Sequence, residues 1–275
     1  AVTASRVLGL TLTSRSKEKG NVPLAGVPYH AVDGYIKKLI TAGYRVAVCD
    51  QLEDPKLAKG VVDRGVTRVI TAGTLTDDLL PDQRSSNYLA AVCPRSKECG
   101  VAWVDLTTGR FFVEEVEPAR LADELARIGP AECLYAEGLV ARNTRLVREL
   151  EHLGVATARA DWVFEPRNAE KALHKHFGVA SLDGFGCGGL TVGLYAAGAV
   201  IEYLNETQRT SLAHIDRIER FVDAEHLLID RATKRSLELV ETMRSGERRG
   251  SLLGVLDRTV TTMGARLLRE WLLSP

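Results

Sequence analysis

The stretch of sequence that decides the expected fold is 88–116, which reads YLAAVCPRSKECGVAWVDLTTGRFFVEEV. It holds apolar runs at 88–93, 100–106 and 110–116, and the last two are separated by the turn residues Thr107, Thr108 and Gly109. Short apolar runs bounded by turn residues are typical of β-strands. The pattern that follows predicts a helix over 119–128, a strand over 132–135 and a helix over 139–153.

The sequence before this stretch predicts a smaller unit of mixed type. Residues 7–13 alternate in the manner of a strand, and 29–42 place apolar side chains at helical spacing before Gly43. Two further strands are expected at 44–50 and 67–71. The first 75 residues are therefore expected to form an α/β unit.

The sequence after 166 changes to a mainly helical pattern. Helices are expected at 192–208, 231–244 and 263–273, with short extended pieces at 220–222 and 227–229. The apolar run 192–204 is shorter than the roughly 20 residues a membrane helix needs, so it predicts a buried helix. We expect the last helix to be cut by the end of the chain, because it stops at Pro275.

Composition indicates a multidomain globular protein. A chain of 275 residues suits two or three units of about 100 residues each. Lys and Arg outnumber Asp and Glu by 11 to 6 over 1–75, but are outnumbered by 10 to 16 over 76–166. Five cysteines without a CxxC pair predict reduced thiols, with neither a disulfide framework nor a zinc site. No secretion signal is visible, so cytoplasm is the expected location.

Three ordered motifs carry a resemblance to a known family. Residues 23–32 read PLAGVPYHAV, 44–55 read YRVAVCDQLEDP and 64–74 read RGVTRVITAGT. These closely resemble the signatures of MutS-type DNA mismatch-repair proteins, and 207–215, 228–239 and 261–272 resemble the core domain of that family. The resemblance spans nearly the whole chain, with the acidic middle matching least.

The resemblance implies a multidomain α/β fold. Residues 1–74 would be a mixed α/β mismatch-recognition domain truncated at its N-terminus, 75–166 a ribonuclease-H-like α/β connector, and 167–275 the start of a mainly helical core, or lever, domain. It also implies that the whole protein binds double-stranded DNA carrying mismatches or small loops, acts as a homodimer, recruits MutL and uses ATP with Mg.

Two functional motifs of the family are not found in this sequence. The F-x-E wedge of the family lies just upstream of the position that matches Ala1, and Phe164-Glu165 is not that motif. No G-x-x-x-x-G-K-[ST] occurs, and 246–254 is glycine-spaced without the required lysine. The sequence therefore predicts no catalysis, no metal site and no cofactor site in this chain.

The resemblance also implies a DNA-binding surface in the first unit. Arg15, Lys17 and Lys19 lie in a polar run that follows the first expected strand, and they are predicted to contact phosphates. Pro23 and Leu24 match family positions that approach the groove beside the wedge. Structural roles are expected for the other residues singled out: Pro28 and His30 at the helix start, Gly26 and Gly73 for backbone conformation, and Arg266 and Trp271 for packing and ion pairing.

Two other functions compete with this interpretation. Asp105 ends an expected strand at a tight turn, the place where ribonuclease-H-like nucleases hold a metal ligand, although only scattered acids such as Glu114, Glu132 and Glu137 accompany it. An Asp that accepts hydrogen bonds within a turn is the simpler explanation. Alternatively, the acidic middle of the chain is a non-catalytic interaction module.

Overall fold

The computed structural model describes residues 1–14, 22–54, 60–209, 211–222 and 226–275. Its α-helices are α1 (Val2–Leu8), α2 (Val32–Thr41), α3 (Leu121–Ile128), α4 (Leu139–Arg142), α5 (Thr144–Leu153), α6 (Pro166–Phe177), α7 (Val192–Gln208), α8 (Arg231–Ser236), α9 (Leu252–Leu256) and α10 (Thr262–Leu273). Its strands are β1 (Thr13–Ser14), β2 (Pro23–Leu24), β3 (Val46–Gln51), β4 (Arg64–Ile70), β5 (Tyr88–Pro94), β6 (Cys99–Asp105), β7 (Phe111–Val116), β8 (Glu132–Ala136), β9 (Val155–Arg159) and β10 (Glu219–Arg220). Mixed α/β architecture is confirmed.

A six-stranded sheet forms the centre of the molecule, in the order β10-β7-β6-β5-β8-β9. Strands β5, β6 and β7 pair antiparallel in sequence order, as the stretch 88–116 predicts. Strand β8 pairs parallel with the other edge of β5, and β9 pairs parallel with β8. The sheet therefore joins an antiparallel meander to two parallel strands.

Helices cover both faces of the central sheet. Ala90 and Val92 of β5 share a core with α3 and α5, whereas Leu89 and Ala91 share a core with α6 and α7. Successive side chains of a strand point to opposite faces, so a strand buried on both faces needs a continuous apolar run. This requirement explains why 88–93 is apolar throughout.

The longest helix, α7, runs over the bounds that the sequence predicts. Val200, Ile201 and Leu204 are fully buried within it. No helix in the described part of the chain is both long enough and apolar enough to span a membrane. Helices α6 and α7 bury their side chains in the same core as the sheet, while the domain boundaries expected at 74/75 and 166/167 stay predictions.

The first unit has a small core of its own. Helix α2 buries Ile36 and Ile40 against Ile70, Leu79 and Leu80. Strands β3 and β4 pair antiparallel beside it, with a register shift between Val48 and Cys49. The helix at 29–42 and both strands were predicted, and all three are confirmed.

The strand expected at 7–13 is wrong. Residues Val2–Leu8 form α1 instead, and Gly9 ends it with a φ of 67° and an N–H that donates to the Ser5 carbonyl. A glycine in this left-handed conformation is a common helix stop, and α1 packs on α2. Alternation over so few residues did not exclude a helix. Only Thr13 and Ser14 of this region enter a strand.

Two further expectations need correction. The helix expected at 231–244 ends at Ser236, because Glu238 has a φ of 50° and accepts a hydrogen bond from the Met243 N–H at 2.6 Å. A residue in that conformation cannot continue a right-handed helix.

Trp271 is 62% exposed, so its expected role in core packing is wrong. Strand β9 was not predicted at all.

Candidate nucleic-acid interface

The predicted DNA-contacting residues Pro23 and Leu24 form strand β2 of a two-stranded ribbon. β2 pairs antiparallel with β1, with Thr13 opposite Leu24 and Ser14 opposite Pro23. Thr13 Oγ1 donates to the Leu24 carbonyl at 3.2 Å. Both residues of β2 are exposed, and Leu24 keeps 46% of its surface in contact with solvent. The ribbon therefore presents apolar side chains outward.

The predicted phosphate contacts Arg15, Lys17 and Lys19 lie outside the described residues. In the sequence they fall between Ser14, the end of β1, and Pro23, the start of β2. Their role stays a prediction.

Four apolar side chains that neighbour the ribbon in the sequence are also exposed. Leu12, Val22 and Val27 are 45%, 65% and 37% exposed, and Tyr29 is 93% exposed. Tyr29 is the first residue of the stretch 29–42, for which the sequence predicts a helix. Pro28, with a φ of −62°, begins a short 3-10 turn there, and the Tyr29 ring lies in solvent. An exposed ring of this kind can pack against a sugar or base.

The first unit joins the central sheet through a short turn at its end. Thr71 and Thr74 form a reciprocal cap, in which Thr74 Oγ1 accepts from the Thr71 N–H at 2.9 Å. Thr71 Oγ1 also donates to Oε2 of Glu132, and the Gly73 N–H donates to the same oxygen at 3.0 Å. Glu132 begins β8 and is fully buried. The end of the RGVTRVITAGT motif is therefore a joint between two units.

Gly73 was expected to be required for its backbone conformation. The structure shows instead that a side chain at this position would collide with Glu132 and Leu89. A Cβ at this position would lie 2.8 Å from the Glu132 Cβ and 2.9 Å from the Leu89 Cδ1. Its φ is not in the left-handed region, and neither is that of Gly26, around which nothing lies within 4 Å of a Cβ position. Nothing in the structure explains Gly26.

The central sheet and the helices packed on it are here called the sheet unit. Strand β4 and the segment before β3 make three further contacts with this unit. Arg45 Nη2 donates to Thr157 Oγ1 of β9 at 3.0 Å. At the end of α7, Gln208 Nε2 and Arg209 Nη1 donate to the carbonyls of Val69 and Val66, at 3.4 and 3.0 Å. The first unit is thus held at its turn, at Arg45 and along β4.

A second cluster of hydrogen bonds surrounds the segment between the first unit and β5. Arg266 of α10 donates to three acceptors, namely Asp77 Oδ1 at 2.6 Å, the Gln83 carbonyl at 3.0 Å and Thr107 Oγ1 at 2.8 Å. The predicted ion pairing of Arg266 is confirmed, since it pairs with Asp77.

Asp105 is the last residue of β6 and accepts hydrogen bonds from the turn that follows it. Its Oδ1 accepts from the Thr107 N–H at 2.9 Å and from Thr107 Oγ1 at 2.7 Å, and its Oδ2 lies 4.0 Å from Arg266 Nη1. In the part of the chain that the structure describes, no three His, Cys, Asp or Glu side chains are grouped as a metal site would require. These contacts fit the role of a turn residue.

Buried thiols offer no nucleophile in the described residues. Cys93, Cys99, Cys133 and Cys187 are buried and unpaired, and Cys49 is exposed. Burial raises the pKa of Cys93 to about 11 and that of Cys133 to about 12, so both remain protonated at neutral pH. The prediction of reduced thiols agrees with this arrangement.

Together the fold and the site define a multidomain α/β protein that displays an exposed apolar ribbon on a unit joined to a central sheet by buried hydrogen bonds. Sequence models of three domains match the chain in order: MutS domain I over 1–79, MutS domain II over 87–216 and MutS domain III over 232–275. The chain belongs to the MutS family.

Individual relatives agree with the family models. The chain is 45% identical over 282 residues to a protein of Symbiobacterium thermophilum, and 46% identical over 297 residues to one of Rhodopirellula baltica. Both are named DNA mismatch repair protein MutS. The alignments cover 98% and 100% of this chain but 32% and 33% of the relatives, so the chain spans about a third of their length.

Proposed function

We propose that the whole protein recognises mismatched DNA and that this chain supplies part of the recognition surface together with the units that carry it. The observation that carries the proposal is the exposed apolar ribbon, which lies within the part of the chain matched by MutS domain I. The relatives named DNA mismatch repair protein MutS support the same function.

Mismatched DNA is a physical target that such a surface suits. Stacking and pairing are already weak at a mismatch, so inserting a wedge and kinking the duplex costs less there than at a matched step. The ribbon residues Pro23 and Leu24 would support the widened minor groove by apolar contact. Arg15, Lys17 and Lys19 would bind phosphates, which carry no sequence information. Discrimination would then come from deformability rather than from base sequence.

The order of the central sheet supports a ribonuclease-H-like connector. Three antiparallel strands followed by two parallel strands on the other side of β5, with helices on both faces, is the arrangement expected for such a domain. Asp105 would then serve only the turn that follows β6. Helices α8, α9 and α10 would begin the helical core, or lever, domain.

Other properties of the whole protein belong to the same proposal. It would act in the cytoplasm as a homodimeric clamp and recruit a MutL-type partner. ATP and Mg would serve an ATPase of the whole protein. No residue of this chain is assigned to ATP or Mg binding.

Charge reversal in the full-length protein tests the proposal. Arg15→Glu with Lys17→Glu should weaken binding to matched and mismatched duplexes about equally and reduce the slope of log affinity against log salt by about 2, because each lost phosphate contact removes about 1. Leu24→Ala should weaken mismatch binding selectively. Fluorescence anisotropy with both duplexes over a salt series measures each effect.

Arg145→Glu with Arg148→Glu is the matched control, since both side chains are exposed on α5 in the sheet unit. This control should leave both affinities and the salt slope unchanged. A loss confined to the mismatched duplex after the Arg15 and Lys17 reversal would show that their role is not phosphate contact. Full affinity in both the reversal and the Leu24 variant would overturn the proposal.

A further inference from the structure

The buried carboxylate of Glu132 accepts hydrogen bonds from both the first unit and the sheet unit. We propose that Glu132 is a positioning residue whose carboxylate sets the orientation of the first unit, and with it the ribbon, on the central sheet. The orientation itself is independent of what the ribbon binds. Its consequence for DNA rests on the proposed function.

The two oxygens of Glu132 serve two different units. Oε2 accepts from Thr71 Oγ1 and from the Gly73 N–H at 3.0 Å, both at the end of the first unit. Oε1 accepts from Thr157 Oγ1 at 2.7 Å and from Tyr203 Oη at 2.8 Å, on β9 and α7. The planar carboxylate thus fixes the direction from which each unit approaches, because hydrogen bonds to it lie near its plane.

The environment of Glu132 makes this link obligatory. All four donors are uncharged and Glu132 has no exposed surface, so these hydrogen bonds are the polar partners that its carboxyl group has in place of water. Moving the first unit away would remove two donors and leave one oxygen buried without a partner. Burial and the nearby Glu132 charge both raise the pKa of Tyr203, so its hydroxyl remains a donor.

Close packing around Gly73 leaves no space between the turn of the first unit and the central sheet. The Gly73 position admits no Cβ, because Glu132 and Leu89 lie under 3 Å from where it would be. The backbone of the first unit therefore lies directly against β5 and β8. The contacts of Gln208 and Arg209 with the carbonyls of Val69 and Val66 in β4 lie at the end of α7.

Distance measurements between two spin labels test the proposal on the 275-residue chain. Cys49 is exposed on β3 and its four fellow cysteines are buried, so it takes the first label. Arg145→Cys takes the second, because the Arg145 side chain on α5 is 90% exposed. Double electron–electron resonance then reports the distribution of distances between the first unit and the sheet unit.

Thr71→Val and Thr74→Val form a matched pair, since each removes one hydroxyl from the same buried turn and only that of Thr71 donates to Glu132. We expect Thr71→Val to broaden the distance distribution and Thr74→Val to leave it narrow, while urea unfolding shows similar losses of stability in both. Thr71→Ser, which keeps the hydroxyl, should restore the narrow distribution.

Equal distributions in Thr71→Val and Thr74→Val, whether both narrow or both broad, would overturn the proposal. Hydrogen exchange of the Gly73 amide in the unaltered chain gives a second measurement that does not depend on a variant folding. We expect that amide to exchange as slowly as the amides of β5 and β8, and fast exchange would also overturn the proposal. No DNA enters these measurements, so their failure is distinguishable from failure of the proposed function.

Discussion

Arg84 and Asp257 are 173 positions apart in the sequence, and Nη2 of Arg84 lies 2.9 Å from both carboxylate oxygens of Asp257. The same nitrogen also donates to Thr259 Oγ1 at 2.8 Å. Asp257 is nearly buried and pairs with Arg248 as well. Arg84 precedes β5, so this pair attaches the C-terminal helices to the segment that leaves the first unit.

The pair of Arg84 and Asp257 should contribute measurably to stability. We expect Arg84→Ala to lower the free energy of unfolding by about 1–2 kcal/mol, because it removes hydrogen bonds to a largely desolvated carboxylate. Arg145→Ala is the matched control: Arg145 pairs with Glu149 one helical turn away and is 90% exposed, so its loss should cost about 0.5 kcal/mol or less. Urea unfolding at neutral pH measures both. Equal losses of unfolding free energy in the two variants would show that burial of Asp257 does not strengthen its pairing with Arg84.

Replacement of two helical glycines by alanine should change the stability of the protein in opposite directions. Gly198 of α7 lies against α6, and a Cβ there would be 2.4 Å from the Ala169 Cα, so Gly198→Ala should destabilise the protein. Gly34 of α2 has nothing within 4 Å of a Cβ position, so Gly34→Ala should stabilise by about 0.5–1 kcal/mol. Thermal unfolding compares the two. A stabilising Gly198→Ala would contradict the packing of α6 on α7.

The stability contribution of Lys234 should depend on pH. Burial, and then the charge of Arg127, lower its pKa to about 8, whereas an unfolded lysine titrates near 10.4. The unfolded chain therefore binds more protons between these values, and the cost of the buried charge, complete below pH 8, falls as the pH rises. Lys234→Met should raise the free energy of unfolding at pH 7 and raise it less at pH 9.5.

Lys97→Met is the control for this prediction, because Lys97 is exposed between β5 and β6. Its difference from the unaltered chain should be the same at both pH values. A pH-independent effect of Lys234→Met would show that the Lys234 ammonium is not destabilised in the folded protein.

Asp105 should matter to the turn and not to cleavage of nucleic acid. Asp105→Asn keeps an acceptor for the Thr107 N–H and hydroxyl, so we expect it to leave DNA binding by the full-length protein unchanged. We expect neither the unaltered protein nor the variant to show Mg-dependent or Mn-dependent nuclease activity. Cleavage of a labelled duplex that disappears in this variant would establish the nuclease alternative and overturn the main interpretation.

The periodicity of the sequence predicts most of the elements around the central sheet. Strands β5, β6 and β7 and helix α7 follow from apolar runs and helical spacing that depend only on near neighbours in the chain. The first helix and the end of α8 were missed for a different reason. Gly9 and Glu238 take left-handed conformations, and short alternation or helical spacing does not reveal where the chain will do so.

The DNA contacts predicted for Pro23 and Leu24 stay predictions, and two features of the candidate site were not predicted. The PLAGVPYHAV motif identifies Pro23 and Leu24, and the structure places both on an exposed ribbon. The exposure of Tyr29 was not predicted, because the residue was read only as the start of a helix. Glu132 appeared in the sequence as one scattered acid among several. Nothing local distinguishes a buried carboxylate with four donors from a solvated one.

The sequence by itself determined the family, the mixed α/β composition and the apolar stripes that build the core. Tertiary structure alone decided which residues meet across long separations, such as Thr71 with Glu132 and Arg84 with Asp257. The physical reason is that apolar patterning is a property of each segment, whereas a hydrogen bond between distant residues depends on how segments pack. The joint between the first unit and the sheet is therefore visible only in the folded chain.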